Sequence, residues 1–360
     1  MEQHQDTMAM LDLITRPAFC VKDGVILRVN KAAELMAIET GSSVLQLLAT
    51  GHTEYEAFTE GCLYLTLQLN GAQLGASVVS MDDFHVIIIE DENDQAELKA
   101  MALAAQTLRE PLSSVMTMAN ALLPAMEGIE DPAATDQMAR LNRGLFQMLR
   151  ILGNMSDAER YRTNTLPRLE TLDITALMCE LFGKLSSMTE QAGVALNFEN
   201  LQSSLYCLVD TEKLERAVYN IFSNALKFTP KGGTINAKLT RRQDRLYLTV
   251  QDSGSGIPEN QRSSVYTRFL RHPGLDDSRQ GIGLGMVLIR SAATAHSGTV
   301  LIEHPKNNGL RLTLTLAIRQ NRDGMVRSPS LRVDYAGEWD HSLIELSESL
   351  PASVYTERNK

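Results

Sequence analysis

The sequence predicts a multidomain α+β chain, and three observations carry that expectation. Its 360 residues suffice for two or three domains of ordinary size, and 44% of them are apolar, enough to fill their cores. Up to about residue 90, short alternating segments separated by Asp-Gly and Asn-Gly pairs have the pattern of an antiparallel sheet. Two long stretches of helical period follow, and from about residue 166 helices and strands mix again. The expected divisions are 8–90, a small α+β domain; 91–165, a helical hairpin; 166–320, an α/β unit; and 321–360, a polar tail.

In the first division, PAFCVKDGVILRVN reads as two strands joined by a turn at Asp23-Gly24, and Lys31 to Met36 begins a helix. Strands are expected at Leu63 to Leu69, Gln73 to Ser80 and His85 to Ile89, the first two joined at Asn70-Gly71. His85 reads either as a structural residue or as a ligand contact. The hairpin follows, with Pro111 as the expected kink in its first helix and a turn around Gly128 to Pro132. Its second helix carries Met138, Leu141, Leu145, Met148, Leu152 and Met155, an apolar seam at spacings of three and four. Such a hairpin has too little core alone; it pairs with a second copy into a four-helix bundle or packs on its own neighbours.

Composition restricts the function. A net charge of -10 argues against a general grip on nucleic acid, which needs clustered Lys and Arg, and Arg241 and Arg242 read as solvated surface. Cys20, Cys62, Cys179 and Cys207 form no CxxC pair and read as reduced core residues. No apolar run reaches the roughly 20 residues of a membrane helix, and MEQHQDTM is not a signal peptide, so a cytoplasmic protein without membrane insertion is expected.

Beyond a linker at Thr163 to Pro167, the division from 166 holds a helix at Ile174 to Ala192 and a strand at Val194 to Phe198. In LERAVYNIFSNALKFTP, residues Leu214, Ala217, Val218, Ile221, Phe222 and Ala225 form one apolar stripe of a helix. Asn220, Asn224 and Lys227 share another face, placing two amides and an ammonium together beside a buried surface. That set suits a magnesium triphosphate: an Asn carbonyl is a hard ligand for Mg2+, and a Lys meets phosphate as a point charge. An ordinary amphipathic helix with a polar outer face is the alternative.

Strands at Thr234 to Leu239 and Leu246 to Val250 come next, and Leu246, Leu248, Val250 and Asp252 share one face of the second. A carboxylate ending an apolar face needs hydrogen-bond donors, and the amino group of adenine is a suitable one. Gly254 and Gly256 allow the backbone to turn closely around a base. Gly281, Gly283 and Gly285 lead into a helix whose amide end can receive phosphate. A polar segment, not a strand, precedes them, which counts against a dinucleotide fingerprint, and the absence of GK[ST] excludes a P-loop. His296 ends that helix with no chemical role, and Thr299 to Glu303 and Leu310 to Ile318 are expected to close the sheet.

Together, Asn220 to Pro230, Asp252 to Pro258, VYTRFLR at 265 to 271 and Gly281 to Gly285 resemble the N, G1, F and G2 boxes of the histidine-kinase ATPase domain. The resemblance implies an α/β sandwich that binds ATP and Mg2+ under a mobile lid. By that match Asn224 is the metal ligand, Asn220 and Lys227 place the phosphates, and Asp252 reads adenine. Phe269 falls in the F box and joins the cofactor-binding set, and Gly254, Gly256, Gly281, Gly283 and Gly285 shape the lid. The order of elements up to residue 90, with Asn30 closing the second strand, resembles a PAS sensor domain, and the whole layout resembles a sensor histidine kinase acting as a homodimer.

The departure lies in the hairpin. The family's acceptor motif His-Glu-x-Arg-Thr-Pro-Leu corresponds to Gln106, Thr107, Leu108, Arg109, Glu110, Pro111 and Leu112, where Arg109, Pro111 and Leu112 agree and the nucleophile does not. A Gln amide is a poor nucleophile, a Thr hydroxyl is no base, and none of the seven histidines lies in the hairpin. Two functions follow. One is a sensor kinase in signal transduction, with phosphorelay-type phosphoryl transfer to a response regulator or other signalling protein. The other is a pseudokinase, an ATP-binding dimer that regulates partners without autophosphorylation. A serine or threonine kinase of the anti-sigma-factor type fits the long hairpin poorly. The tail, with apolar islands at Val333 to Tyr335 and Leu343 to Leu350 around Trp339, reads either as disordered or as a docking segment.

Overall fold

The computed structural model describes residues 11–81, 83–90, 93–126, 132–162, 166–201, 203–256, 284–305, 309–320, 326–327 and 340–356. Strands β1 (Ala18–Lys22) and β2 (Val25–Val29) form the expected hairpin. Its turn is held by positive φ at Asp23 and Gly24. The helix after it, α1 (Lys31–Glu34), is capped by Asn30, whose Oδ1 accepts from the Ala33 N–H at 2.9 Å and from the Ala18 N–H at 3.0 Å. Asn30 thereby ties the helix start to β1. After α2 (His52–Glu56) come β3 (Cys62–Leu69), β4 (Ala72–Met81) and β5 (Phe84–Ile89), close to their expected bounds.

Two long helices, α3 (Asn93–Met126) and α4 (Pro132–Arg162), make the hairpin, and α3 is unbroken through Pro111, where a kink is expected. The turn between them lies outside the described residues. The apolar seam of α4 is divided by burial. Leu145 and Leu152 pack inside the hairpin against Ala105, Leu112, Met116 and Ala119, while Leu141 and Met148 are exposed. The seam therefore does not form one continuous outer interface.

The remaining part holds β6 (Glu170–Asp173), α5 (Ile174–Gln191), β7 (Ala195–Glu199), β8 (Tyr206–Val209), α6 (Thr211–Phe228), β9 (Thr234–Arg242) and β10 (Arg245–Asp252). It continues with α7 (Leu284–Ala295), β11 (Val300–Glu303), β12 (Arg311–Ala317), β13 (Val326–Arg327) and α8 (His341–Glu345). Helices α5 and α6 cover the large sheet, and Phe182, Leu214, Val218 and Phe222 share one core with Ile235, Leu248, Val250 and Leu314. Strands β6 and β8, which alternation does not reveal, form a second small sheet with β13.

The larger sheet is not closed by β11 and β12 as the sequence suggests. It has ten strands in the order β2-β1-β5-β4-β3-β11-β12-β10-β9-β7, because β11 pairs antiparallel with β3. An edge strand leaves a row of backbone donors and acceptors open, and each of these two edges satisfies the other. Side chains reinforce the junction. The Arg290 guanidinium of α7 lies 5.2 Å from the Tyr64 ring and 3.7 Å from Glu90, and Arg245 reaches Glu54 at 3.3 Å.

Cys20, Cys62 and Cys207 are buried, and burial pushes their thiols up to about 11, 11 and 12. Cys179 is exposed on α5, contrary to its reading as a core residue, because it falls outside the stripe of Leu177, Met178, Leu181 and Phe182. His85 is structural: its Nδ1 lies 3.2 Å from the Tyr55 hydroxyl, and its ring meets Tyr55 edge-on. Among the described residues, no helix is long and apolar enough to cross a membrane.

Candidate nucleotide-binding site

Helix α6 is fixed at both ends. Asp210 caps its start, accepting from the Lys213 N–H at 3.1 Å, and at its end the Thr229 hydroxyl donates to the Ala225 carbonyl at 2.7 Å. The cap is itself positioned, because the Asp210 N–H donates to His296 Nε2 at 2.9 Å while Nδ1 of that ring meets the Ala292 carbonyl at 2.7 Å. His296 is therefore a neutral bridge between α6 and α7, a structural role that follows from its burial.

The three polar residues of the predicted face differ in setting. Asn220 is buried, and its amide donates to the Arg216 carbonyl at 2.8 Å. Its Oδ1 faces Gly285 in the first turn of α7, where an added Cβ would stand 2.8 Å away. The structure thus brings together Asn220 and Gly285. Asn224, one turn on, is exposed. Lys227 is half-buried, and its ammonium pairs with the Glu348 carboxylate.

Asp252 ends the buried face of β10 as the alternation predicts, after Leu246, Leu248 and Val250. Its Oδ1 accepts from the Gly254 N–H at 2.8 Å and its Oδ2 from the Leu310 N–H at 3.3 Å. Burial pushes the Asp252 carboxyl above the usual range, against the pull of these donors. The backbone closes tightly around it. A Cβ at Gly254 would lie 2.4 Å from the Phe228 carbonyl oxygen, and one at Gly309, where φ is +84°, would lie 1.9 Å from the Asp252 carbonyl oxygen. Gly256, also at positive φ, packs on Gly309. The end of α6, the loop after β10 and the start of β12 therefore meet at one carboxylate. Phe269, Gly281 and Gly283 lie outside the described residues.

On the hairpin, Gln106, Thr107 and Arg109 are exposed, while Leu112 packs inside. Between hairpin and α6 lies a cavity of about 440 Å³, lined in part by Arg109, Asp157, Arg160, Arg216, His341 and Glu345. Sequence reading missed Gly309, which the Asn-Gly pair before β12 could have suggested, and it missed Arg216, Glu345 and Glu348. Arg216 is buried between the carboxylates of Asp157, at 2.7 Å, and Glu345.

Residues 209–320 match the model of the histidine kinase-, DNA gyrase B-, and HSP90-like ATPase family. The chain carries a histidine-kinase-type ATPase domain. The match takes in all of α6, β9 and β10, α7, β11 and β12. It therefore holds every residue of the predicted site within one domain. Among curated proteins, the chain is 28% identical over 229 residues to the sensor histidine kinase TmoS of Ectopseudomonas mendocina, covering 62% of this chain and 23% of that one. It is 26% identical over 249 residues to the sensor histidine kinase WalK of Bacillus subtilis, covering 65% of this chain and 39% of that one. The chain thus spans less than half the length of these relatives. Among solved structures, full-length ShkA in complex with AMPPNP aligns with a TM-score of 0.49 at 19% identity, over 62% of this chain and 46% of that one.

Proposed function

We propose that this protein is an ATP-binding dimer of histidine-kinase descent that signals through nucleotide occupancy and forms no phosphohistidine in its hairpin. The observation that carries the proposal is the pairing of an ATPase-family match over residues 209–320 with an exposed Gln106 where the acceptor would stand. The residues present suit Mg-ATP. Asp252 offers a buried carboxylate whose surroundings leave space only for glycine at 254 and 309, and Asn224 offers an exposed amide oxygen beside Lys227. Asp252 would accept from the adenine amino group, Asn224 would hold Mg2+, and Asn220 and Lys227 would place the phosphates. Bound Mg2+ would supply charge neutralisation along the triphosphate.

The dimer would form through the outer face of the hairpin. Leu108, Val115 and Leu122 recur every seven residues on α3, and with Leu141, Met148 and Ile151 on α4 they are exposed apolar side chains. A second copy covering them would complete a four-helix bundle. The part up to residue 90 would act as a PAS-like sensor joined to the ATPase domain through β3 and β11. The partner would be a response regulator or another signalling protein.

A second reading, a sensor kinase that retains phosphoryl transfer, is favoured by the agreement of Arg109, Pro111 and Leu112 with the acceptor motif. Incubation with γ-labelled ATP separates the two. The proposal expects no acid-labile label on the chain, whereas label mapped by mass spectrometry to a histidine such as His85 or His341 would establish kinase activity. The double change Gln106→His and Thr107→Glu restores a nucleophile and its carboxylate neighbour. Label gained only by that variant would mark the hairpin as a kinase scaffold that has lost only its acceptor.

A further inference from the structure

The 340–356 segment lies along the seam between the hairpin and the ATPase domain and touches both. Along α4, Asn142 donates to the Tyr355 carbonyl at 3.1 Å, Arg143 to the Ser347 and Glu348 carbonyls at 3.0 and 2.9 Å, and Arg150 pairs with the Glu348 carboxylate at 2.8 Å. Along α6, Arg216 pairs with Glu345, the Tyr219 hydroxyl meets Ser342 Oγ at 2.8 Å, and Ser349 Oγ donates to the Ser223 carbonyl at 3.0 Å. Leu343, Leu346 and Leu350 are buried in the same core as α6. With Gln147, whose amide donates to the Ser347 carbonyl at 3.2 Å, Arg143, Gln147 and Arg150 on α4 and Arg216, Tyr219 and Ser223 on α6 stand three or four residues apart, so the segment follows one face of both.

One contact reaches the proposed nucleotide site. Lys227 lies one turn from Asn224, and its ammonium is held by Glu348. Burial would raise the Glu348 carboxyl, yet Lys227 and Arg150 together hold it below the ordinary glutamate range, so it is an anion at neutral pH. An anion beside Lys227 occupies the cation that a triphosphate would need and repels the phosphates it would bring.

We propose that the 340–356 segment is a built-in competitor for the phosphate end of the nucleotide, with the Glu348 carboxylate holding Lys227 until a triphosphate takes its place. The inference rests on the ATP-site reading above. It deepens that reading by giving occupancy a mechanical output. The same segment straps α4 to α6, so a nucleotide that draws Lys227 away from Glu348 loosens the hairpin from the ATPase domain. Linkage requires the converse as well: whatever lifts the segment off α4 tightens nucleotide binding.

The test compares the full-length parent with Glu348→Gln, which keeps the side-chain shape and removes the charge. By calorimetry with MgATP, Glu348→Gln is expected to bind about tenfold more tightly than the parent. In the unaltered parent, saturating MgATP is expected to speed hydrogen exchange across 341–355. Equal or weaker binding by Glu348→Gln, or MgATP that leaves this protection unchanged or higher, overturns the inference and leaves the ATP site standing. Absence of MgATP binding by both proteins overturns the inference and the ATP-site reading together.

Discussion

At the scale of single residues, the site is legible where one residue's surroundings are set by its own element. Asp252 is the clearest case, because a period of two along β10 puts it on the buried face with Leu246, Leu248 and Val250 whatever the rest of the chain does. The glycines around it are less legible. Gly309 belongs to a loop remote in sequence, and only the closed structure shows that its φ of +84° and the nearby Asp252 carbonyl leave no space for a side chain. Gly309→Ala should cost about 1 to 3 kcal/mol of stability, visible as a lowered denaturant midpoint at unchanged slope. His296 gives a prediction in pH. Burial holds its pKa below the ordinary 6.5, so the folded state resists a proton that the unfolded chain accepts. The stability that the neutral ring contributes is complete above about pH 6.5 and is lost as pH falls below it, by at most about 1.4 kcal/mol per pH unit for one proton. Urea titrations of the parent at pH 7.5 and 5.5 should show the loss, with His85, shifted in the same direction, adding to it. A smaller loss in His296→Gln would assign the first share.

At the scale of elements, periodicity located the long helices and most strands, because each must turn one apolar face to a core. It could not tell which of two apolar seams a helix buries within the chain. Leu145 and Leu152 belong to the hairpin's own core, whereas Leu108 and Val115 are exposed. Charges at the two kinds of position should therefore act differently. Leu152→Asp should destabilise the fold by several kcal/mol through a buried, unpaired charge. Val115→Glu should leave the monomer folded and shift light scattering from dimer to monomer. A parent that stays monomeric at tens of micromolar would contradict the dimer. The short strands β6 and β8 escaped the sequence reading because four residues each are too few to establish alternation. Arg216 shows the same limit for polar groups. It stands on the apolar helix α6 as an apparent surface residue, yet it is buried between Asp157 and Glu345. Arg216→Met should cost about 3 to 5 kcal/mol, since it takes the guanidinium away from the buried Glu345 and leaves Asp157 paired only with Arg160 at 3.0 Å, and the loss should be measurable by chemical denaturation.

At the scale of the whole molecule, the part up to residue 90, the hairpin and the ATPase domain are joined by contacts that no local pattern announces. The pairing of β3 with β11 links segments more than two hundred residues apart, and strand alternation specifies a face, not a partner. The 340–356 segment is similar: its apolar residues are equally consistent with a disordered tail and a docking segment, and the pairing of Glu348 with Lys227 depends on where it docks. Both joints lead to the ATPase domain, and the account stands on that domain binding nucleotide through Asp252. The most direct measurement is a calorimetric titration of ATP, with and without Mg2+, into the parent and into Asp252→Asn, which replaces an acceptor with a group that also presents a donor to adenine. The account predicts saturable, magnesium-dependent binding by the parent and a loss of about 1 to 3 kcal/mol in the variant. Equal affinity of the two proteins, or a parent that binds no ATP, would contradict it.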